Sequence, residues 1–491
     1  MKLVNIMRNK SLHTNILLNI VKQICILIFP LVTVPYASRT LLQDKYGMIS
    51  FGSSIVSYFS LIASLGISTY AVREGCAIRE NKKKFNDFAS QIFTINMLST
   101  FIAYILFFVT VLWNVKLFNM RSLLFIQGLS ILFTTIGTDW VNTVYEEFLY
   151  ITLRFAIFQC IAMVLMLVFV KKPEDYLIYA YINLFATVGP NILNVLYCKK
   201  FVHIKLVKIR EIKEHITPIL LLFANTIATT IYINSDITIL GFIQDNSAVG
   251  IYSLVGKIYT MAKQLVSAFI VAITPRLASY IGNKDFKMYA ELLNISFEYL
   301  ITLLVPIALG IAILSRKLII IVGGEAYAKG STALVILSIA MLFAIPAFFL
   351  SSSMLILMKR ERQFLYITIT GAVVNISVNF FAIPGYSYNG AAFTTLLAET
   401  VVLFMTLIFT KATARPKCSR RSIISVTIAG FTMGICCQIV LYWNENPYGS
   451  FLTAVCIGVS VYIVILWLFK NRVLLDLMER KIFKKGNSID V

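Results

Sequence analysis

Histidine is nearly missing from this chain: His13, His203 and His215 are the only three in 491 residues. None falls inside a long apolar run, which excludes a histidine proton relay within a membrane. Charge of either sign is sparse at 14%, and acid is the scarcer, with 23 Asp and Glu against 44 Lys and Arg. No Gly-rich loop ends in Gly-Lys-Ser or Gly-Lys-Thr, so a P-loop for nucleotide hydrolysis is excluded, and any work must draw on gradients or substrate flux. The eight cysteines lie in apolar runs or in loops of one side, where disulfides are not expected, and none is spaced as a metal site. No cofactor is expected. Residues 1–14 are basic and lead into a full-length apolar run without a small-residue cleavage pattern, so they open a first membrane helix and not a cleaved signal peptide.

What the chain does have is apolar length. Hydrophobic residues make up 58% and mean hydropathy is +0.81, more than a soluble domain of this size can bury. The apolar residues fall in runs of roughly 20, the length at which a helix crosses the hydrocarbon of a bilayer. The sequence predicts an all-α integral membrane protein of about fourteen spans, beginning with 15–36 and 47–69 and ending with 422–442 and 451–469. With that division both termini share a side that carries 32 Lys and Arg, against 9 opposite. Both termini are therefore expected in the cytoplasm. The formal charge of +21 is thus explained by orientation, and no nucleic-acid partner is expected.

The loops predicted to lie outside are short, the longest about Arg316 to Gly330, which leaves little room for an external catalytic lobe. Inside, Cys198 to Ile216 interleaves Lys199, Lys200, Lys205, Lys208, Arg210 and Lys213 with apolar residues. It reads either as an amphipathic helix on anionic lipid or as an ordinary basic linker. Residues 1–200 would form one six-helix lobe, 201–216 the linker, 217–412 a second six-helix lobe, and 413–491 two further helices with a basic tail. A weak repeat supports the two lobes. Tyr46 to Arg73 aligns without gaps on Val249 to Arg276, matching Gly47, Ser50, Ile55, Ser64 and Arg73 with Gly250, Ser253, Ile258, Ser267 and Arg276. Repeated halves point to alternating access about a central site. Trp113, Trp140, Trp443 and Trp467 fall near span ends and read as interfacial anchors. Pro30, Pro35, Pro190, Pro306 and Pro346 interrupt spans and leave helices bendable.

An ionisable group at the bilayer centre costs roughly 2.5 to 3.5 kcal/mol on the insertion scale, so those within spans should face an interior or water. Lys22, Asp139, Asp236, Lys257, Lys263, Glu298 and Glu399 lie within the predicted spans, with Arg39, Arg73, Arg154 and Arg276 near their edges. Lys22 and Lys257 either line a cationic cavity or snorkel to the headgroups. Lys263, near the midplane, cannot readily snorkel. Asp236 and Lys257 sit in adjoining parts of neighbouring spans, where an ion pair is geometrically allowed. Asp139, Glu298 and Glu399 are candidates for proton or sodium coupling, or else partners of arginines.

At Tyr46, Gly47, then Leu65, Gly66, Ile67, Ser68, Arg73 and Glu74, the chain resembles the O-antigen and capsular polysaccharide repeat-unit flippases. That family belongs to the multidrug, oligosaccharidyl-lipid and polysaccharide exporter superfamily. Three further stretches agree in order and spacing. They are Asp139, Trp140 with Glu147, Phe148 and Arg154; Asp236, Gly241, Val249, Gly250, Tyr252, Ser253, Lys257, Ile258 with Pro275, Arg276, Leu277; and Gly324 to Tyr327. After Asp236 the family often carries a basic residue, where this chain has Ile237, which makes Lys257 the better candidate partner.

The resemblance implies two lobes of six helices with two more at the end, in a bacterial inner membrane. It implies that the chain flips an undecaprenyl-pyrophosphate-linked oligosaccharide by alternating access, with a proton or sodium gradient as the source of coupling. A glycan polymerase and a chain-length regulator are the implied protein neighbours, and membrane lipids the surroundings. Lys22, Arg73, Lys257, Lys263 and Arg276 would bind the pyrophosphate or line its cavity, while Asp139, Asp236, Glu298 and Glu399 would gate or couple ions. The competing readings are a multidrug cation exporter of the same superfamily, a membrane glycan polymerase or ligase, and a lipid scramblase. The deep lysines disfavour the first and the short outside loops the second.

Overall fold

The computed structural model describes residues 12–411, 416–443 and 446–478, which are mostly helical with no strand among them. In chain order the helices are α1 (Leu12–Ser64), α2 (Ile67–Ile78), α3 (Lys82–Trp113), α4 (Val115–Asn119), α5 (Arg121–Gly137), α6 (Asp139–Val144), α7 (Phe148–Phe169) and α8 (Tyr176–Cys198). They continue with α9 (Lys213–Ile243), α10 (Asn246–Gly282), α11 (Phe286–Gly323), α12 (Ser331–Leu350), α13 (Glu361–Thr410), α14 (Arg420–Trp443), α15 (Pro447–Leu468) and α16 (Arg472–Met478).

The 53 residues of α1 would reach about 80 Å if straight, well over twice the hydrocarbon thickness. The helix does not run straight: Leu42 takes φ 57° and ψ 178°, which turns the chain between the first two spans. Ser387, at φ 50° and ψ −133°, does the same inside the 50-residue α13. Among the described residues, eleven helical stretches are long and apolar enough to cross a membrane, each broken stretch counting once. Arg121–Gly137 is apolar but shorter. The chain is a multi-pass membrane protein.

The chain divides into two compact units, 1–250 and 251–491, so that α9 is grouped with the helices before it. Within the first unit α1 packs on α3, α5, α7 and α9, and α5 on α8. Within the second, α12 lies against α11 and α13, while α14 and α15 pair and dock on α11 through Val426, Ala429, Met433 and Leu314. Tyr462 donates its hydroxyl to the Thr302 carbonyl at 2.9 Å, fixing α15 to α11.

The linker departs from the amphipathic-helix reading. Residues 202–208 are not helical, and only Ile209–Ile212 forms a short 3-10 turn. The backbone N–H groups of His203, Lys205 and Val207 donate to Asn86 Oδ1, Ser90 Oγ and Thr94 Oγ1 at 3.0, 3.1 and 3.1 Å. Two residues of extended chain advance about as far as one helical turn, so alternate amides meet side chains spaced four apart on α3. Val202, Ile204 and Val207 pack on the core while His203, Lys205 and Leu206 are exposed, in a stretch rich in β-branched residues.

Behind this strap lies a core of Tyr70, Phe85, Phe88, Ile92, Trp140, Val141, Val202 and Ile212. Trp140 is 5% exposed and packs against Phe85 and Phe88, so it is a core residue and not an interfacial anchor. Trp113, Trp443 and Trp467 remain exposed.

His215 closes the strap. Its Nδ1 lies 2.8 Å from the Tyr70 hydroxyl and its Nε2 2.9 Å from Gln91 Oε1, a pairing that suits the neutral ring, with Nε2 as donor. Burial pushes its pKa below the ordinary histidine value, against the opposing pull of Glu214 and Glu74. Well above about pH 6.5 both folded and unfolded rings are neutral and the contact contributes fully; as pH falls, the unfolded ring protonates first and the folded state loses stability. The midpoint of thermal unfolding is expected to fall between about pH 7 and 5, and His215→Gln to flatten that slope.

The repeat noted in the sequence acquires a physical meaning inside the first unit. A Cβ on Gly47 would stand 1.8 Å from the Asn246 carbonyl oxygen, and one on Gly250 2.0 Å from that of Gln43. The second half of α1 and the start of α10 therefore touch backbone to backbone, held also by Ser247 Oγ donating to Gln43 Oε1 at 2.7 Å. Gly47→Val must push these helices apart and is expected to cost about 2 kcal/mol, read as a lower unfolding midpoint in detergent, with Gly47→Ala intermediate.

Candidate functional site

Among the described residues, each unit contains a buried or half-buried acid–base pair that joins two separate helices. In the first unit, α5 ends where Thr138 takes φ 46°, and the chain re-enters a short helix with Asp139 as its first residue. Arg154, in α7, donates Nη2 to Asp139 Oδ1 at 2.6 Å. The arginine side chain is 4% exposed and the aspartate 55%, so a sealed cation is held by a carboxylate that faces outward. The Nε and Nη1 of Arg154 are buried without a hydrogen-bond partner among the described residues. Its guanidinium lies 5.2 Å from the ring of Tyr150, one turn earlier, which stacks on Tyr197 at 3.7 Å. Tyr197 in turn donates to Glu147 Oε2 at 3.1 Å. Asn142, Asn194 and the Gly137 carbonyl form a buried amide chain behind the pair.

In the second unit, Lys263 on α10 donates Nζ to Glu399 Oε1 on α13 at 2.9 Å. Here the exposure is reversed: Glu399 is 6% exposed and Lys263 30%. Tyr259, one turn before the lysine, places its ring 5.6 Å from the ammonium. The two pairs thus share a plan, a tyrosine four residues ahead of the cation on one helix and the acid on another element. Aromatic faces at this distance attract a cation and shield it from hydrocarbon. A buried pair is costly to desolvate and strongly destabilising to break, so each pair ties its two elements together.

The other residues proposed from the sequence are placed as follows. In the first unit Lys22 is half-buried on α1, and Asp236 is buried on α9. Arg73 is exposed, its Nε donating to the adjacent Glu74 Oε1 at 2.9 Å. In the second unit Lys257 and Arg276 are exposed on α10. Glu298 is buried on α11 and accepts the backbone N–H of Ser419 at 2.5 Å, holding the start of α14. Lys263 and Glu399, assigned to different roles by sequence, are one site. Arg154 lies near a span edge in the sequence, and the spacing Tyr150 to Arg154, repeated in Tyr259 to Lys263, is the signal that marks it.

Residues 12–281 match the polysaccharide biosynthesis protein family. A candidate O-antigen transporter of Shigella dysenteriae is 22% identical over 386 residues, covering 77% of this chain and 95% of its own length. A second, from Escherichia coli K12, is 22% identical over 273 residues, covering 55% of this chain and 65% of its own. Among solved structures, the lipid II flippase MurJ in an inward closed conformation superimposes with a TM-score of 0.77 at 16% identity, covering 94% of this chain and all of that one. An inward-facing multidrug resistance MATE family transporter of the MOP superfamily does so at 0.58 and 12% identity, covering 80% and 97%. These structural likenesses establish the fold.

Proposed function

The chain belongs to the polysaccharide biosynthesis protein family, and from that premise we propose that it flips an undecaprenyl-pyrophosphate-linked oligosaccharide by alternating access. The movement runs from the cytoplasmic to the outer leaflet of a bacterial inner membrane, with both termini in the cytoplasm. The relatives named as O-antigen transporters support the substrate class. The observation that carries the mechanism is the Lys263–Glu399 pair, a cation in a membrane helix whose buried counter-ion leaves it partly open.

A pyrophosphate entering hydrocarbon alone costs tens of kcal/mol, on the order set by ion desolvation. Lys263 meets that cost by exchanging Glu399 for the pyrophosphate, and Glu399 takes the lysine back when the headgroup leaves. Lys22, Arg73, Lys257 and Arg276 supply further positive charge along the path. Asp139 with Arg154, and Asp236, act as gates, while Glu298 is occupied in holding α14. Because the cytoplasm is negative, the membrane potential favours outward movement of an anion by about 2.3 kcal/mol per charge per 100 mV. A proton or sodium ion reaching Glu399 adds a second means of control. No covalent chemistry is required, and the protein is a transporter and not an enzyme in this reading.

Uptake of a lipid-linked oligosaccharide into inverted vesicles tests the proposal. The expected result is protected glycan of unchanged length, with no accumulation of drug cations. Lengthened glycan indicates a polymerase, and cation uptake alone a drug exporter; either outcome overturns the reading.

A further inference from the structure

A cavity of about 270 Å³ opens where α14 begins and α15 ends, lined by Ser419, Arg421, Ser422, Lys470, Arg472, Leu475 and Asp476. Three cations face it against one carboxylate, and that carboxylate reaches Arg472 only at 3.8 Å. Among the described residues, Glu298 also touches the wall, accepting the Ser419 amide. Arg420 and Arg421 stand in the first turn of α14, where the helix dipole already disfavours positive charge. An uncompensated basic hollow at a helix start is an arrangement that an anion relieves.

The wall is built and not merely a loose basic surface. Arg421 Nε donates to the Phe469 carbonyl at 2.9 Å. Asn471, fully buried, donates Nδ2 to Ser425 Oγ at 2.7 Å and to Ser422 Oγ at 3.2 Å, and accepts the Val473 amide at 3.0 Å. Between these two fixed residues Lys470 is held at φ 47°, an uncommon conformation for a residue with a Cβ. Its side chain is exposed and has no hydrogen-bond or ion partner among the described residues. The buried hydroxyl of Tyr299 on α11 has no hydrogen-bond partner among the described residues either.

We propose that this cavity is a binding site for the phosphate headgroup of an anionic membrane phospholipid. The height of the cavity in the membrane favours lipid as the source. It lies at the ends of two spanning helices, beside the exposed Trp467, which is the level of the headgroups. Basic pockets at such helix ends take anionic headgroups, with phosphate oxygens on guanidinium and ammonium groups and hydroxyls completing the shell. The occupant would tie α14 and α15 to their neighbour α11 from below. The site is separate from the Lys263–Glu399 pair and stands whether or not the transport reading holds.

The test uses the full-length protein in detergent, with phosphatidylglycerol, phosphatidylcholine and inorganic phosphate as probes and native mass spectrometry as the readout. The parent is expected to retain phosphatidylglycerol in preference to phosphatidylcholine. Lys470→Asn, which tolerates the positive φ, and Arg472→Gln should each weaken that retention about fivefold, while Lys284→Gln with Lys287→Gln, a control of equal sign elsewhere, should leave it unchanged. Equal retention by both cavity variants and the parent overturns the site. Displacement of the lipid by millimolar inorganic phosphate, which then occupies the parent alone, overturns the lipid source.

Discussion

Lys263→Met is expected to abolish flipping, with a fall of at least about a hundredfold at matched membrane abundance, because the anionic headgroup loses its counter-charge at the deepest point of its path. The same change leaves Glu399 buried without a partner and should cost about 3 kcal/mol of stability, less if the carboxyl takes up a proton. Lys263→Met combined with Glu399→Met removes both charges and should regain most of that stability while remaining inactive. The separation of the two readouts is the content of the prediction. Recovery of transport in the double variant would mean that the pair is only a tie. Lys263→Arg, which keeps the charge but broadens its donor pattern, should retain partial activity. The checks are glycan uptake into inverted vesicles and the unfolding midpoint in detergent.

In the first unit the asymmetry is opposite, and so is the expected order of damage. Asp139→Asn leaves the sealed Arg154 guanidinium without its carboxylate, and arginine cannot escape by losing a proton. The loss is expected to be about 3 kcal/mol or more. Arg154→Met instead leaves Asp139, which is more than half exposed and can be rehydrated, so its cost should be smaller despite the larger change in side chain. Arg154→Lys should not restore the parent, since an ammonium cannot both reach Asp139 and lie over Tyr150 as the planar group does. If thermal unfolding ranks Arg154→Met as the more damaging change, the exposed aspartate is not what holds the arginine.

Much of this architecture could be read from residues alone. The apolar runs give the membrane class because backbone hydrogen bonds must close within each span, and basic loop residues give an expected orientation. The Gly47 and Gly250 match was legible because close backbone approach leaves a glycine at each contact. Which acid meets which base was not. Glu399 lies 136 residues from Lys263, and nothing local in either helix specifies the partner. The breaks at Leu42 and Ser387 fall in the gaps left between predicted spans, at 37–46 and 384–389, although the positive φ at each is carried by a residue other than glycine. At 202–208 the sequence leaves a surface helix and a basic linker both open, because basic residues between apolar ones suit a helix and an extended chain alike, and only Asn86, Ser90 and Thr94 on α3 decide between them.

The mechanism requires that the carried group be an anion met by a lysine. Reconstitution into liposomes with an imposed membrane potential separates that claim from general lipid scrambling. One glycan is presented on undecaprenyl pyrophosphate and, in parallel, on uncharged undecaprenol, and its exposure to a lectin outside is followed over time. The account predicts that only the pyrophosphate-linked glycan crosses, faster when the compartment it leaves is negative. Equal crossing of the neutral lipid, indifferent to potential, would contradict it.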